Sequence, residues 1–203
     1  MRKIIFLIFI VISVFAASCN DKSGNAAKNG VANGALANVK KGVTPVADPE
    51  IAVIEMETPA FGTIKLELYS NVAPKMVARF KELAKEGYYD GIAFHRINQS
   101  VIQAGDANTK PGAKPTGPGE GDSGKPNVDA EFSDLPYEAG TLGAARLTDP
   151  NTANSQFFIT LKREASFDNR YTIFGKVIEG MNNVMTISGV QPKNGDLLER
   201  VEP

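Results

Sequence analysis

Arg96 and Gln103 flank a short polar stretch, Asn98-Gln99-Ser100. The chain's only histidine, His95, precedes the arginine, and Ala104-Gly105-Asp106 follows the glutamine. Apolar and polar residues alternate around Arg96. In a strand this places Phe94 and Arg96 on one side, His95 and Ile97 on the other. Ile102 and Gln103 open a second short strand, which Gly105 closes. A hairpin of the two would bring Arg96 beside Gln103 on one face. The arginine is a permanent cation with five donors; the glutamine is a neutral amide that donates and accepts. Such a pair can hold a peptide carbonyl or an amide nitrogen. Neither group titrates near neutral pH, so the pair cannot do acid–base work. His95, next to Arg96, is expected to face away from it and to be structural.

Two further blocks follow. One is Asn154-Ser155-Gln156-Phe157-Phe158-Ile159-Thr160, the other Phe167-Asp168-Asn169-Arg170-Tyr171-Thr172-Ile173-Phe174-Gly175. With Phe94-His95-Arg96 and Ile102-Gln103-Ala104-Gly105-Asp106, in this order, they resemble the cyclophilin-type peptidyl-prolyl cis–trans isomerases. The resemblance covers roughly residues 51–201. It implies a mainly β fold, a closed eight-stranded antiparallel barrel with two helices and a shallow outer groove. It implies isomerisation of X-Pro bonds with no cofactor and no metal.

The resemblance also implies roles. Arg96, Gln103 and Phe158 would be catalytic: Arg96 donates to the twisted bond, Gln103 holds the flanking peptide and Phe158 floors the proline site. Val101, Ala145, Arg146, Phe167 and Tyr171 would line the groove. The chain departs from the family pattern between Asn98 and Val101, where it is one residue shorter. Ser100 stands for a groove phenylalanine and Val101 for a methionine, which should loosen the proline pocket. Ser166 stands where many members carry a tryptophan, so weak cyclosporin binding is expected.

Several elements must position these groups. Ile54 and Met56 alternate with glutamates, as do Ile64, Leu66 and Leu68 with polar residues, and Pro59 to Gly62 forms the turn between them. Pro74 opens a helix with an apolar stripe of Met76, Val77, Phe80, Leu83 and Ala84, and Gly87 ends it. Residues 107–127 are rich in glycine and proline and are expected to be an irregular loop beside the groove. Glu120 and Asp122 lack the ligand spacing of a calcium-binding EF-hand. Glu131-Phe132 and Gly140 to Arg146 resemble the family's next strand. Phe157 and Phe158 are neighbours in a strand, so they face opposite ways. Phe174 to Val177 is a further strand, Met181, Val184, Met185 and Ser188 a second short helix. Leu198 and Val201 are expected to finish the sheet beside the first strand.

The 203 residues carry 22 basic and 23 acidic side chains, and no basic patch stands out, so nucleic acid is not an expected partner. The single cysteine, Cys19, excludes an intrachain disulfide and a cysteine-based zinc site. Arg2-Lys3, an apolar run from Ile4 to Ala17 and small residues before Cys19 read as a secretory signal peptide over residues 1–18. Because it ends in cysteine, it resembles a bacterial lipoprotein signal, with lipidation at Cys19. Ordinary cleavage near Ala17 or Ser18, or an uncleaved anchor, are the alternatives. Residues 19–50 then form a lipidated, flexible tether and residues 51–203 the isomerase domain. The expectation is a monomer anchored by lipid to the bacterial envelope, on a periplasmic or surface face, acting on proline-containing polypeptides. The alternative is a proline-segment binding module or surface lipoprotein with little or no turnover.

Overall fold

A computed structural model of the chain describes residues 39–113 and 119–190. The expected signal peptide, Cys19, most of the tether and the strand at Leu198 and Val201 lie outside the described residues. The described residues form a seven-stranded, wholly antiparallel sheet, curled into a half-barrel, with two α-helices. Strand order is β1 (Ala52–Glu55), β2 (Thr63–Leu68), β7 (Ile173–Glu179), β5 (Thr141–Ala144), β6 (Phe157–Thr160), β4 (Val101–Ala104), β3 (Arg96–Ile97). The eight-stranded closed barrel is therefore met as a mainly β, seven-stranded half-barrel among the described residues.

The β1–β2 hairpin forms as its alternation predicts. Ile54 pairs with Ile64 and Ala52 with Leu66, and β2 buries Ile64, Leu66 and Leu68 while Thr63, Lys65 and Glu67 stay partly exposed. Helix α1 (Pro74–Lys85) starts at its proline and buries Met76, Val77, Phe80 and Leu83; Ala84, expected in that stripe, is exposed. Its N-cap, Ala73, has no side-chain acceptor to offer. The buried Glu131 substitutes from elsewhere in the chain, its carboxylate accepting from the amides of Lys75 (3.2 Å) and Met76 (3.0 Å). A negative group at this helix end satisfies orphan donors and opposes the positive end of the helix dipole, worth roughly 0.3–1 kcal/mol. Helix α2 (Met181–Ser188) buries Val184 and Ile187.

Three expectations fail locally. Strand β3 contains only Arg96–Ile97, and Phe94 joins the same core cluster as Ile97 instead of sharing Arg96's side. The expected irregular loop begins with a 3-10 turn at Ala107–Thr109, because Asp106 caps it by accepting from the Asn108 amide. Residues 39–50, expected to end the tether, lie hydrogen-bonded along the domain. Asp48 N–H donates to the Leu68 carbonyl and Lys40 N–H to that of Phe132.

Candidate active site

Register across the sheet sets one row of residues side by side. Arg96 in β3 pairs with Gln103 in β4, Gln103 with Phe158 in β6, and Phe158 with Gly143 in β5. Directly opposed residues in antiparallel strands share a face. The arginine, the amide and the ring therefore stand on one face, while Ala104, Phe157 and Ala144, one position along, sit in the main core on the other. The face-to-face split of Phe157 and Phe158 is as the sequence predicts.

The polar half of the row has a defined direction. Arg96 Nη1 donates to Gln103 Oε1 at 3.1 Å. Gln103 Nε2 donates to Gln156 Oε1 at 2.9 Å, and Gln156 Nε2 donates to the carbonyls of Gly119 and Gly121, each at 2.9 Å. The glycine stretch is held in turn by the fully buried Asp106, which accepts from the Gly119 amide. Each amide thus presents its oxygen toward Arg96, and the exposed guanidinium is held over the row. Sequence reasoning missed Gln156, although alternation from Phe158 already placed it on the same face.

The apolar half is an aromatic box. Phe158 makes edge contacts with Phe167 (centroids 5.5 Å) and Tyr171 (5.6 Å) and stacks on Tyr137 at 5.7 Å. Val101 and Ile173 join this cluster, with Ala145, Phe167 and Tyr171 half-buried at its margin. Arg146 lies over the Tyr171 ring at 4.5 Å and donates to the carbonyls of Leu147, Thr148 and Arg170. Arg96, Gln103 and Phe158 are thus linked by pairing, Phe158, Phe167, Tyr171 and Arg146 by ring contacts, while Val101 and Ala145 join through apolar packing. Tyr137 is an addition no local pattern signals, since it comes from an irregular segment.

The looser pocket expected from Ser100 and Val101 is not seen at these side chains: Val101 is 3 % exposed and Phe158 4 %. Tyr137, 0 % exposed, packs against the ring and fills space in the cluster. The shortened turn is organised by Asn98, whose side-chain oxygen accepts from the amides of Ser100 (2.8 Å) and Val101 (2.9 Å). Ser100 turns its hydroxyl to Glu164 at 2.7 Å.

Gly105 closes the hairpin at φ +96°, and a Cβ there would stand 2.4 Å from the Ser155 carbonyl oxygen. Only glycine tolerates both conditions. His95 is buried, its ring lying near the Ala93 backbone and the Gln156 side chain. Burial pushes its pKa down, against the opposing pull of the Asp106 carboxylate. The unfolded chain protonates His95 near pH ~6.5 while the folded chain resists, so its contribution is full above that value and shrinks as pH falls toward the folded pKa. Urea midpoints at pH 7 and 5.5 should show a drop that His95→Phe reduces. Equal drops in both proteins would reject it.

The fold and this row define the class. Residues 53–202 match the family described as cyclophilin type peptidyl-prolyl cis-trans isomerase/CLD, and the chain belongs to that family. A Brucella suis protein named probable peptidyl-prolyl cis-trans isomerase is 42 % identical over 154 residues, 73 % of this chain and 78 % of that one. A peptidyl-prolyl cis-trans isomerase of Schizosaccharomyces pombe is 44 % identical over 137 residues, 65 % of this chain and 82 % of its own. Among solved structures, a Cryptosporidium parvum cyclophilin type peptidyl-prolyl cis-trans isomerase, crystallised in the presence of the dipeptide Ala-Pro, superposes with a TM-score of 0.66. The two are 28 % identical, covering 75 % of this chain and 94 % of that one.

Proposed function

We propose that this isomerase turns over X-Pro bonds by holding the proline ring against the Phe158 box and donating from Arg96 to the bond's nitrogen as it twists. The barrier to be lowered is roughly 18–20 kcal/mol of amide resonance. In the twisted state the nitrogen becomes pyramidal and basic, so a donor aimed at it favours that state over both planar ones. No nucleophile, metal or cofactor is required. Val101, Phe167 and Tyr171 enclose the ring, Gln103 and the Ala145–Arg146 backbone hold the flanking peptide. The carrying observation is the row Arg96–Gln103–Phe158, which sets a cation, an amide and an aromatic ring side by side.

The test is protease-coupled isomerisation of an Ala-Pro-Phe peptide by the full chain. Acceleration over buffer is expected. A second reading, a proline-segment binding module with little turnover, is favoured by the burial of Phe158, which leaves little ring open to a substrate. Peptide binding by a folded protein without acceleration would select that reading.

Three further parts belong to the proposal. Export, lipidation at Cys19 and a role in folding envelope proteins rest on the leader sequence; mass spectrometry of the protein from a bacterial host, finding an unmodified Cys19, would refute lipidation. The absence of nucleic-acid partners rests on the balanced charge and lack of a basic patch, tested by a nucleic-acid shift assay; a monomeric state is tested by sedimentation equilibrium. An eighth strand around Leu198 and Val201 would pair with β1, whose second edge has no partner among the described residues. In support, Ile51 and Val53 of that edge are half exposed, beside a cavity of about 410 Å³ that Phe80, Tyr89 and Phe157 also line. Unprotected amides at 197–201 in hydrogen exchange would rule the strand out.

A further inference from the structure

Residues 39–50 precede the segment matched by the family, which begins at 53. They nevertheless make a continuous series of contacts with it. Lys40 forms a parallel bridge to Ser133, donating its amide to the Phe132 carbonyl and accepting from Asp134 N–H. Its ammonium donates to the Val72 carbonyl at 2.7 Å. The Gly42 amide donates to the Asp134 carboxylate at 2.9 Å. Asn71 clasps the middle, its side chain donating to the Thr44 carbonyl (2.9 Å) and accepting from Val46 N–H (3.0 Å). At the far end Asp48 accepts from the Ser70 hydroxyl and pairs with Lys81, both at 2.6 Å.

Between the first two of these anchors and the clasp sits Val43. Its side chain packs against the cluster of Tyr69, Val72, Val101, Tyr137, Phe158 and Ile173. That is the cluster whose upper rings form the box described above. The segment is therefore pinned on both sides of one apolar residue, and that residue meets the substructure carrying the proline floor. Val39 and Pro45 are also partly buried, but of the segment's apolar residues only Val43 packs against this cluster, and Val46 is the most exposed large apolar one.

We infer that residues 39–50 are a buttress of the proline groove, and that Val43 is a positioning residue for it. The inference rests on the groove assignment proposed above. Val43 presses on the cluster to which the Phe158 and Tyr137 rings belong. It sets where the Phe158 and Tyr137 rings come to rest, and touches no substrate atom itself. Its loss should weaken the hold on the proline ring in ground and twisted states alike. That is uniform binding, which appears in KM and not in kcat.

The experiment uses the full chain with Val43→Ala, Val43→Ile and Asp134→Ala, assayed on the Ala-Pro-Phe peptide well below the melting temperature. Removing two methyl groups from the contact should raise KM by about three- to tenfold, with kcat near wild type. Val43→Ile should stay within about twofold of wild type, the scatter of a volume-tolerant apolar swap. Asp134→Ala, which frees the Gly42 amide without touching Val43, should raise KM in the same direction and keeps the test open if Val43→Ala folds poorly. Simple destabilisation would instead lower the active fraction, and so apparent kcat, at constant KM. Val184→Ala, in α2 and the other core cluster, provides that comparison. An unchanged KM in both Val43→Ala and Asp134→Ala, or an equal rise in Val184→Ala, overturns the inference. Where turnover is absent, the dissociation constant of the same peptide by calorimetry gives the same test. The wild type separates the two levels: one that neither turns over nor binds the peptide defeats the groove reading itself, not this inference alone.

Discussion

Arg96→Ala should lower kcat/KM on an Ala-Pro-Phe peptide by roughly ten- to a hundredfold, mostly through kcat, in a protein that remains folded. A charge-assisted hydrogen bond contributes about 1.5–3 kcal/mol, and each ~1.4 kcal/mol is a decade in rate. The side chain is exposed and bonds only Gln103 among the described contacts, so its removal leaves the core intact. The melting temperature should hardly move. Arg96→Lys should recover only a small part of the loss. Lysine keeps the charge but has no planar fork to lie against Gln103 Oε1 while presenting a second donor to the bond. Retention of wild-type kcat by Arg96→Ala would refute the assignment of Arg96 as the donor to the twisted nitrogen.

Gly143→Ala should damage both stability and activity, although it adds a single methyl group. A Cβ at this position would stand 2.3 Å from Cζ of Phe158, 2.6 Å from its Cε2 and 2.8 Å from the Tyr137 hydroxyl oxygen. The ring has no free direction, being held by Phe167, Tyr171 and Tyr137. Overpacking of this kind costs about 1–3 kcal/mol. A displacement of the proline floor by an ångström or so can cost about a hundredfold in kcat/KM. The double variant Gly143→Ala with Phe158→Leu should be more stable than the two single effects added together, because the smaller side chain makes room for the methyl. Additive losses would mean that the two positions do not press on one another.

The origin of each part of this site differs. Alternation with a period of two is a local property, so the opposite facing of Phe157 and Phe158 was readable from the sequence, while only the family resemblance said which of the two turns into the core. The Arg96–Gln103 pairing was equally local, because a short polar turn between two strands leaves few registers, and Asn98 selects one of them. The stripe of α1 was legible for the same reason, down to its proline start. What packs behind the Phe158 ring was not legible. Tyr137 reaches Phe158 from an irregular segment of no periodicity. Residues 39–50 were misjudged in the same manner. Their composition resembles a linker, yet their partners are Asn71, Lys81 and Asp134, far along the chain.

By itself, then, the amino-acid sequence determined the family, the opposite facing of Phe157 and Phe158, and the residues proposed as the cation, amide and ring of the site. Those are set by residue type and by neighbours two to four positions away. The tertiary structure alone decided that Arg96, Gln103, Phe158 and Gly143 form one row, that Gln103 donates to Gln156, and that Tyr137 and Val43 join the Phe158 cluster. Inter-strand register and side-chain packing join residues tens of positions apart, and their energies depend on shapes that exist only once the sheet has curled.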